Sequence, residues 1–251
     1  FDEDVTGGPG GKEWSHIALA GRVPNPIFEK SVISLLGLTG KEYRAVVEGR
    51  AGLTAKGEYT EGPDGARGPY AIAAALGSIN IDPELAAAEE AIKTARKTEL
   101  DKANKKLKYL RMLKANKLSA TDAYTISNVP VLPPVFRPIT AMEGGDLNID
   151  GLNMLYRDIA ILNNKLGEAE GVLPEENLAP IRKDLYDAVA ALMGTNPGSD
   201  QNSFTIDGQV RPPGILTILS GKSSPKQSFF HERLLDRRQD LALRSVIVPD
   251  M

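Results

Sequence analysis

Val129-Pro130-Val131-Leu132-Pro133-Pro134-Val135-Phe136-Arg137-Pro138 carries four prolines in ten residues. Each proline fixes φ, removes a backbone donor and holds the preceding residue in extended geometry. The stretch reads as a stiff strap that sets the angle between its neighbours. After it, Glu143-Gly144-Gly145-Asp146 reads as a turn or small loop. Residues 148–166 then place Leu152, Leu155, Ile159, Leu162 and Leu166 on one helical face. A break at 167–176 precedes a second helix with Ile181, Leu185, Val189 and Leu192 in register. Two similar helices across a short break predict an antiparallel hairpin, and its tip, Gly167-Glu168-Ala169-Glu170-Gly171, is acidic.

Upstream of the strap, apolar residues recur at spacings of three and four, with one slip, from Leu85 to Leu113, with Asp82 as a cap and Pro83 in the first turn. This predicts one long amphipathic helix over 82–118. Its lysine-rich second half reads best as a solvated face whose cations suit the helix C-terminus. Residues 1–13 read as a flexible lead-in and 14–20 as a short strand, broken at 22–26. A short helix over 28–38 ends at Gly37 or Gly40; a strand follows over 43–48, and residues 49–69 read as loop or hairpin. Beyond the helical hairpin, residues 194–214 form a polar loop of a length that is usually functional. The chain then runs through Gly221-Lys222-Ser223-Ser224-Pro225-Lys226-Gln227 to a strand over 245–248.

Composition narrows the chemistry. The 251 residues suffice for a large core, and the formal net charge of −3 excludes a chain that is basic throughout. With no cysteine there is neither a disulfide nor a thiolate zinc site. His16 and His231 are too far apart in sequence to suggest a metal site. No apolar run approaches the roughly 20 residues that span a bilayer. No phosphate loop, dinucleotide fingerprint or nucleophile elbow occurs. The acid pairs Glu89-Glu90 and Glu175-Glu176 are explained as helix surface. What stands out is residues 222–244, where six Lys/Arg face three acids, Glu232, Asp236 and Asp240. Such cations can grip phosphates without reading sequence. They can equally form surface ion pairs, and composition leaves both readings open.

Several blocks, in order, resemble the amino-terminal half of the β′ (largest) subunit of bacterial-type multisubunit DNA-directed RNA polymerases. Ser15-His16-Ile17-Ala18-Leu19-Ala20 is similar to its Gly-His-Ile-x-Leu-Ala block, and 129–138 to its Val-Leu-Pro-Val-Leu-Pro-Pro-x-x-Arg-Pro segment. Leu152-Asn153-Met154-Leu155-Tyr156-Arg157 and Asn163-Asn164-Lys165-Leu166 resemble Leu-Asn-x-Leu-Tyr-Arg and Asn-Asn-Arg-Leu. Lys226-Gln227, Leu234-Leu235, Arg238 and Arg244-Ser245-Val246-Ile247 are similar to its Lys-Gln-Gly-Arg-Phe and Leu-Leu-Gly-Lys-Arg-Val-Asp-Tyr-Ser-Gly-Arg-Ser-Val-Ile.

The resemblance implies an α+β clamp-type fold with a long helix, a helical hairpin and short strands, completed by partner subunits. Residues 14–138 would form the clamp core, 139–151 a lid-like loop and 152–193 the clamp-helix hairpin that docks a promoter-specificity factor. Residues 194–214 would be a rudder-like loop, and 215–251 the switch segment and the start of the core strand. Lys226, Arg238 and Arg244 match family positions on template or hybrid phosphates, and Arg237 stands at a family lysine. Lys222, Gln227, Arg233 and Arg137 complete the expected nucleic-acid set. The partners implied are β-like subunits, the C-terminal β′ part, template DNA and the RNA–DNA hybrid.

The departures are informative. The family's zinc cysteines are absent, as is the Asn-Ala-Asp-Phe-Asp-Gly-Asp loop that holds catalytic magnesium. The expectation is that this chain binds no cofactor, has no catalytic residue of its own and relies on magnesium held by a partner chain. Phe229 and His231 replace basic family residues. The hairpin is shorter, and its tip is acidic where bacterial ones carry arginines, which argues against an ordinary bacterial sigma factor. A split β′ subunit of a large bacteriophage polymerase fits best, working in the infected host's cytoplasm or carried in the phage particle. The alternative is a non-catalytic scaffold or inhibitor on the same fold.

Overall fold

The structure is a computed structural model that describes residues 3–54, 57–62, 65–94, 97–142, 144–195, 205–206, 209–210, 212–221, 224, 226 and 228–235. It mixes helix and sheet, an α+β arrangement.

After a short helix, α1 (Glu3–Thr6), strand β1 (Ser15–Pro24) alternates inward and outward residues. It pairs antiparallel with β5 (Thr125–Val131), with Ile17 opposite Val129 and a bulge between Ala18 and Val23. The strand thus runs through residues 22–24, where a break was expected, because a bulge absorbs the irregularity. The first three residues of the proline strap end this second strand. Pro130 is tolerated because the sheet has only two strands, so each retains a free edge.

Helix α2 (Glu29–Leu36) ends at Gly37, in the left-handed region at φ 70°. The strand expected over 43–48 is instead helix α3 (Gly40–Val47). Its signal is a capping box: Glu42 N donates to Thr39 Oγ1 (3.3 Å) and Thr39 N donates to Glu42 Oε2 (2.6 Å). Tyr43, Val46 and Val47 are buried at helical spacing, which overrides the β preference of their side chains. Strands β2 (Gly52–Leu53), β3 (Tyr59–Thr60) and β4 (Ala66–Arg67) form a small sheet in the order β3-β2-β4. Helix α4 (Pro69–Gly77) follows, with Ala71, Ile72, Ala73, Ala75 and Leu76 buried. It packs on β1, β2 and α3, at the centre of the molecule.

The run expected as one long helix over 82–118 is two helices, α5 (Ile81–Thr94) and α6 (Lys97–Asn116). A straight helix would hold Asp82 and Lys114 roughly 48 Å apart at 1.5 Å per residue. Instead Lys114 Nζ lies 2.8 Å from Asp82 Oδ1, and Arg111 reaches Glu89 at 2.9 Å. The pair is folded back on itself, with Ala88, Leu107, Leu110 and Leu113 sealed inside. The one slip in the apolar period, five residues from Ala95 to Leu100, falls at this break, but with no Pro or Gly between the helices it did not read as a fold-back. A short helix, α7 (Ala120–Tyr124), capped by Ser119, leads into β5.

After the strap, β6 (Ile139–Ala141) and β7 (Leu147–Ile149) form a hairpin where only a turn was expected. Helix α8 (Gly151–Ala169), capped by Asp150, and α9 (Glu175–Met193) pack together as the helical hairpin. Strands β8 (Thr205–Ile206) and β9 (Gln209–Val210) pair antiparallel, and α10 (Ile215–Ser220) packs on α9. The strand expected over 245–248 lies outside the described residues.

A buried contact joins α3 to α9. Tyr43 Oη of α3 and Tyr186 Oη of α9 lie 3.1 Å apart, each residue 1% exposed. Burial pushes both phenols above the ordinary range, so both stay protonated and one donates to the other. Tyr186→Phe should cost about 1–3 kcal/mol, because it leaves the Tyr43 hydroxyl buried without its partner. The double Tyr43→Phe/Tyr186→Phe variant should recover much of that loss. A four-member cycle of urea melts measures the difference, and strictly additive costs would contradict the pairing.

Candidate nucleic-acid interface

The strap and the helical hairpin meet at one joint. Tyr156 of α8 donates its hydroxyl to Pro130 O (3.1 Å) and accepts from Leu132 N (3.2 Å). Arg137 Nε donates to Leu132 O (2.8 Å), and its Nη1 donates to Asn153 Oδ1 (2.7 Å). Asn153 Nδ2 returns a bond to Arg137 O (2.9 Å). The guanidinium also lies 5.6 Å from the Tyr156 ring centre. One helix turn thereby satisfies the groups that the proline path cannot pair within a sheet. Further along α8, Asn163 accepts from Ala20 N (2.7 Å) and donates to Ala18 O (3.0 Å), fastening β1. The motif residues Arg137, Asn153 and Tyr156 therefore meet at the joint, and Asn163 ties the same helix to β1.

The expected nucleic-acid residues fall into three groups. Arg137 is only 7% exposed and serves the joint. Lys226 is exposed, on a turn where its N–H donates to Ser224 Oγ (3.3 Å). Arg233 falls on the short helical turn Phe230–Leu235. Lys222, Gln227, Arg237, Arg238 and Arg244 lie outside the described residues. Just after Lys226, Ser228 is buried and its Oγ accepts from His231 N (3.2 Å). This fixes the turn from which Phe229 and Phe230 project, with ring centres 6.4 Å apart and planes at 79°.

Sequence reading missed an apolar face on the β6–β7 hairpin. Ile139 pairs with Ile149 and Ala141 with Leu147, so all four share one face, while Thr140 and Asn148 occupy the other. Ile139, Leu147 and Ile149 are each 40% or more exposed. The period-two signal was present in Ile-Thr-Ala and Leu-Asn-Ile, but three residues a side are too few to read. The helical hairpin also exposes Ile161 midway along α8, and Val172 and Leu173 at its tip. At the same end Arg182 lies 3.8 Å from Glu170 and stacks 4.5 Å over the Tyr70 ring, tying α9 to α4.

No family profile matches the chain. The β′ subunits of DNA-directed RNA polymerase from Xanthomonas euvesicatoria pv. vesicatoria (strain 85-10) and Xanthomonas axonopodis pv. citri (strain 306) are each 30% identical to it over 223 residues. The match covers 88% of this chain. The chain is β′-like. It spans only about 15% of the length of these β′ relatives. Among the described residues, no group of three or more His, Asp or Glu could hold a metal ion. Nor, among them, is any helix long and apolar enough to cross a membrane.

Proposed function

We propose that this chain is a β′-type part of a multisubunit DNA-dependent RNA polymerase, forming the clamp and holding template DNA and the RNA–DNA hybrid. The observation that carries the reading is the β′ similarity over nearly the whole chain, together with the bonding of its signature blocks at one joint. The cations of residues 222–244 grip backbone phosphates, an interaction blind to sequence and suited to an enzyme that slides along any template. The β6–β7 hairpin acts as the lid, with its apolar face toward the hybrid. The α8–α9 hairpin docks a promoter-specificity factor. On this reading the catalytic magnesium is held by a partner chain. β-like subunits and a C-terminal β′ chain complete the enzyme, which serves a large phage in its bacterial host.

Two measurements test this. Native mass spectrometry of the assembly purified through this chain should show β-like chains and one bearing the Asp-rich magnesium loop. In that assembly, Lys226→Ala/Arg238→Ala/Arg244→Ala should lower the slope of log affinity against log salt by about 2–3, at 0.7–0.9 per lost phosphate contact. Elongation and salt slope that both match the unmodified assembly would sink the template-grip role. A lone monomer would favour a scaffold or inhibitor.

A further inference from the structure

We propose that Phe229 and Phe230 form a stacking platform for an unpaired nucleobase of the strand held by the basic segment. The inference rests on the polymerase reading and adds a specific contact to it. Both rings are exposed, at 38% and 50%, although they sit beside a buried serine that fixes their turn. Two adjacent phenylalanines in water are unfavourable unless something covers them. Their edge-to-face arrangement uses one ring's edge against the other's face and leaves further ring faces open.

The surroundings select the occupant. Residues 222–244 carry an excess of three positive charges in a chain whose net charge is −3, so the local field draws in a polyanion. Exposed Lys226 lies three residues from Phe229, and His231 follows Phe230 on the same turn. A lysine beside open aromatic rings is the combination that binds single strands, with phosphates held by charge and bases by stacking.

The test uses the native assembly and a primer–template scaffold with 2-aminopurine walked along the template. Stacking on phenylalanine should quench 2-aminopurine at one template position. Phe229→Leu/Phe230→Leu should restore its fluorescence there and weaken template binding about fivefold or more, with the salt slope unchanged. Phe229→Tyr/Phe230→Tyr keeps the rings and should bind and quench like the unmodified assembly. Phe229→Arg should recover affinity while steepening the salt slope by about 1.

The opposite pattern, Leu tolerated and Tyr harmful, would mark an apolar contact with a partner protein and overturn the platform. So would loss of a subunit from the Leu variant in native mass spectra, or 2-aminopurine fluorescence equal in all variants. If the unmodified assembly holds no template even at low salt, the polymerase reading itself fails before any variant is compared.

Discussion

Asn153→Ala should destabilise the fold by about 2–4 kcal/mol, the sum of one hydrogen bond to a charged group and one neutral bond. The side chain does two jobs at once. Its Oδ1 accepts from the Arg137 guanidinium at 2.7 Å, and its Nδ2 donates to the Arg137 carbonyl at 2.9 Å. Alanine leaves a charge that is 7% exposed short of an acceptor, at the point where the strap turns from strand β5 into hairpin β6–β7. Asn153→Asp should cost less than alanine, because a carboxylate still accepts from the guanidinium and only the donor is lost. Arg137→Met keeps the stem but gives up its hydrogen bonds, and combined with Asn153→Leu it should cost less than the two single changes added together. Guanidinium chloride melts of the four proteins measure the cycle. A cost for Asn153→Ala below about 0.5 kcal/mol, the level of ordinary surface changes, would show that the joint does not hold the strap.

This joint also shows how far the sequence was legible. The stiffness of residues 129–138 was readable because proline acts locally. The helix bearing Asn153 and Tyr156 was readable because its leucines recur with helical period. The bond between them was not, since Arg137 and Asn153 are 16 residues apart. An arginine beside prolines on a strap looks like a surface cation, and only the tertiary structure turns it inward. The central helix α4 escaped for a different reason. Its Ala-Ile-Ala-Ala-Ala-Leu run is apolar on nearly all sides, so it has no amphipathic period to detect. Helix α3 was misread because Tyr43, Val46 and Val47 favour strands, while the deciding Thr39–Glu42 box lies just ahead of them. In the basic segment, charge pattern alone left phosphate grip and surface ion pairs equally good. Of its cations, only Lys226 and Arg233 fall among the described residues.

Gly214→Ala should detach α10 from the helical hairpin and weaken template binding far more than it lowers global stability. A Cβ on Gly214 would overlap the Ala191 carbonyl oxygen and fall 2.5 Å from the Gly194 nitrogen, both backbone atoms at the C-terminal end of α9. No rotamer change relieves a clash with backbone, so one chain must move away from the other. The α9 end is the firmer of the two. Leu185, Val189, Ala190 and Leu192 are fully buried, and Gly194 closes the helix through bonds to the Ala190 and Ala191 carbonyls. By contrast α10 has six residues, none of them fully buried. The movement therefore falls on α10 and on the segment it leads into, Lys226 and the Phe229–Phe230 turn. Hydrogen exchange should quicken across residues 215–221, where Ile218 N–H is bonded to Gly214 O, while α8 and the first turns of α9 keep their protection. In the proposed assembly the variant should still co-purify with its partners yet lose template affinity by about tenfold or more, as expected when a phosphate-binding segment loses its register. Gly214→Ser should do the same, since any Cβ meets the same atoms. If protection and template binding both survived alanine, α10 would be only a tether, and the grip of the basic segment would have to be set by the partner chains.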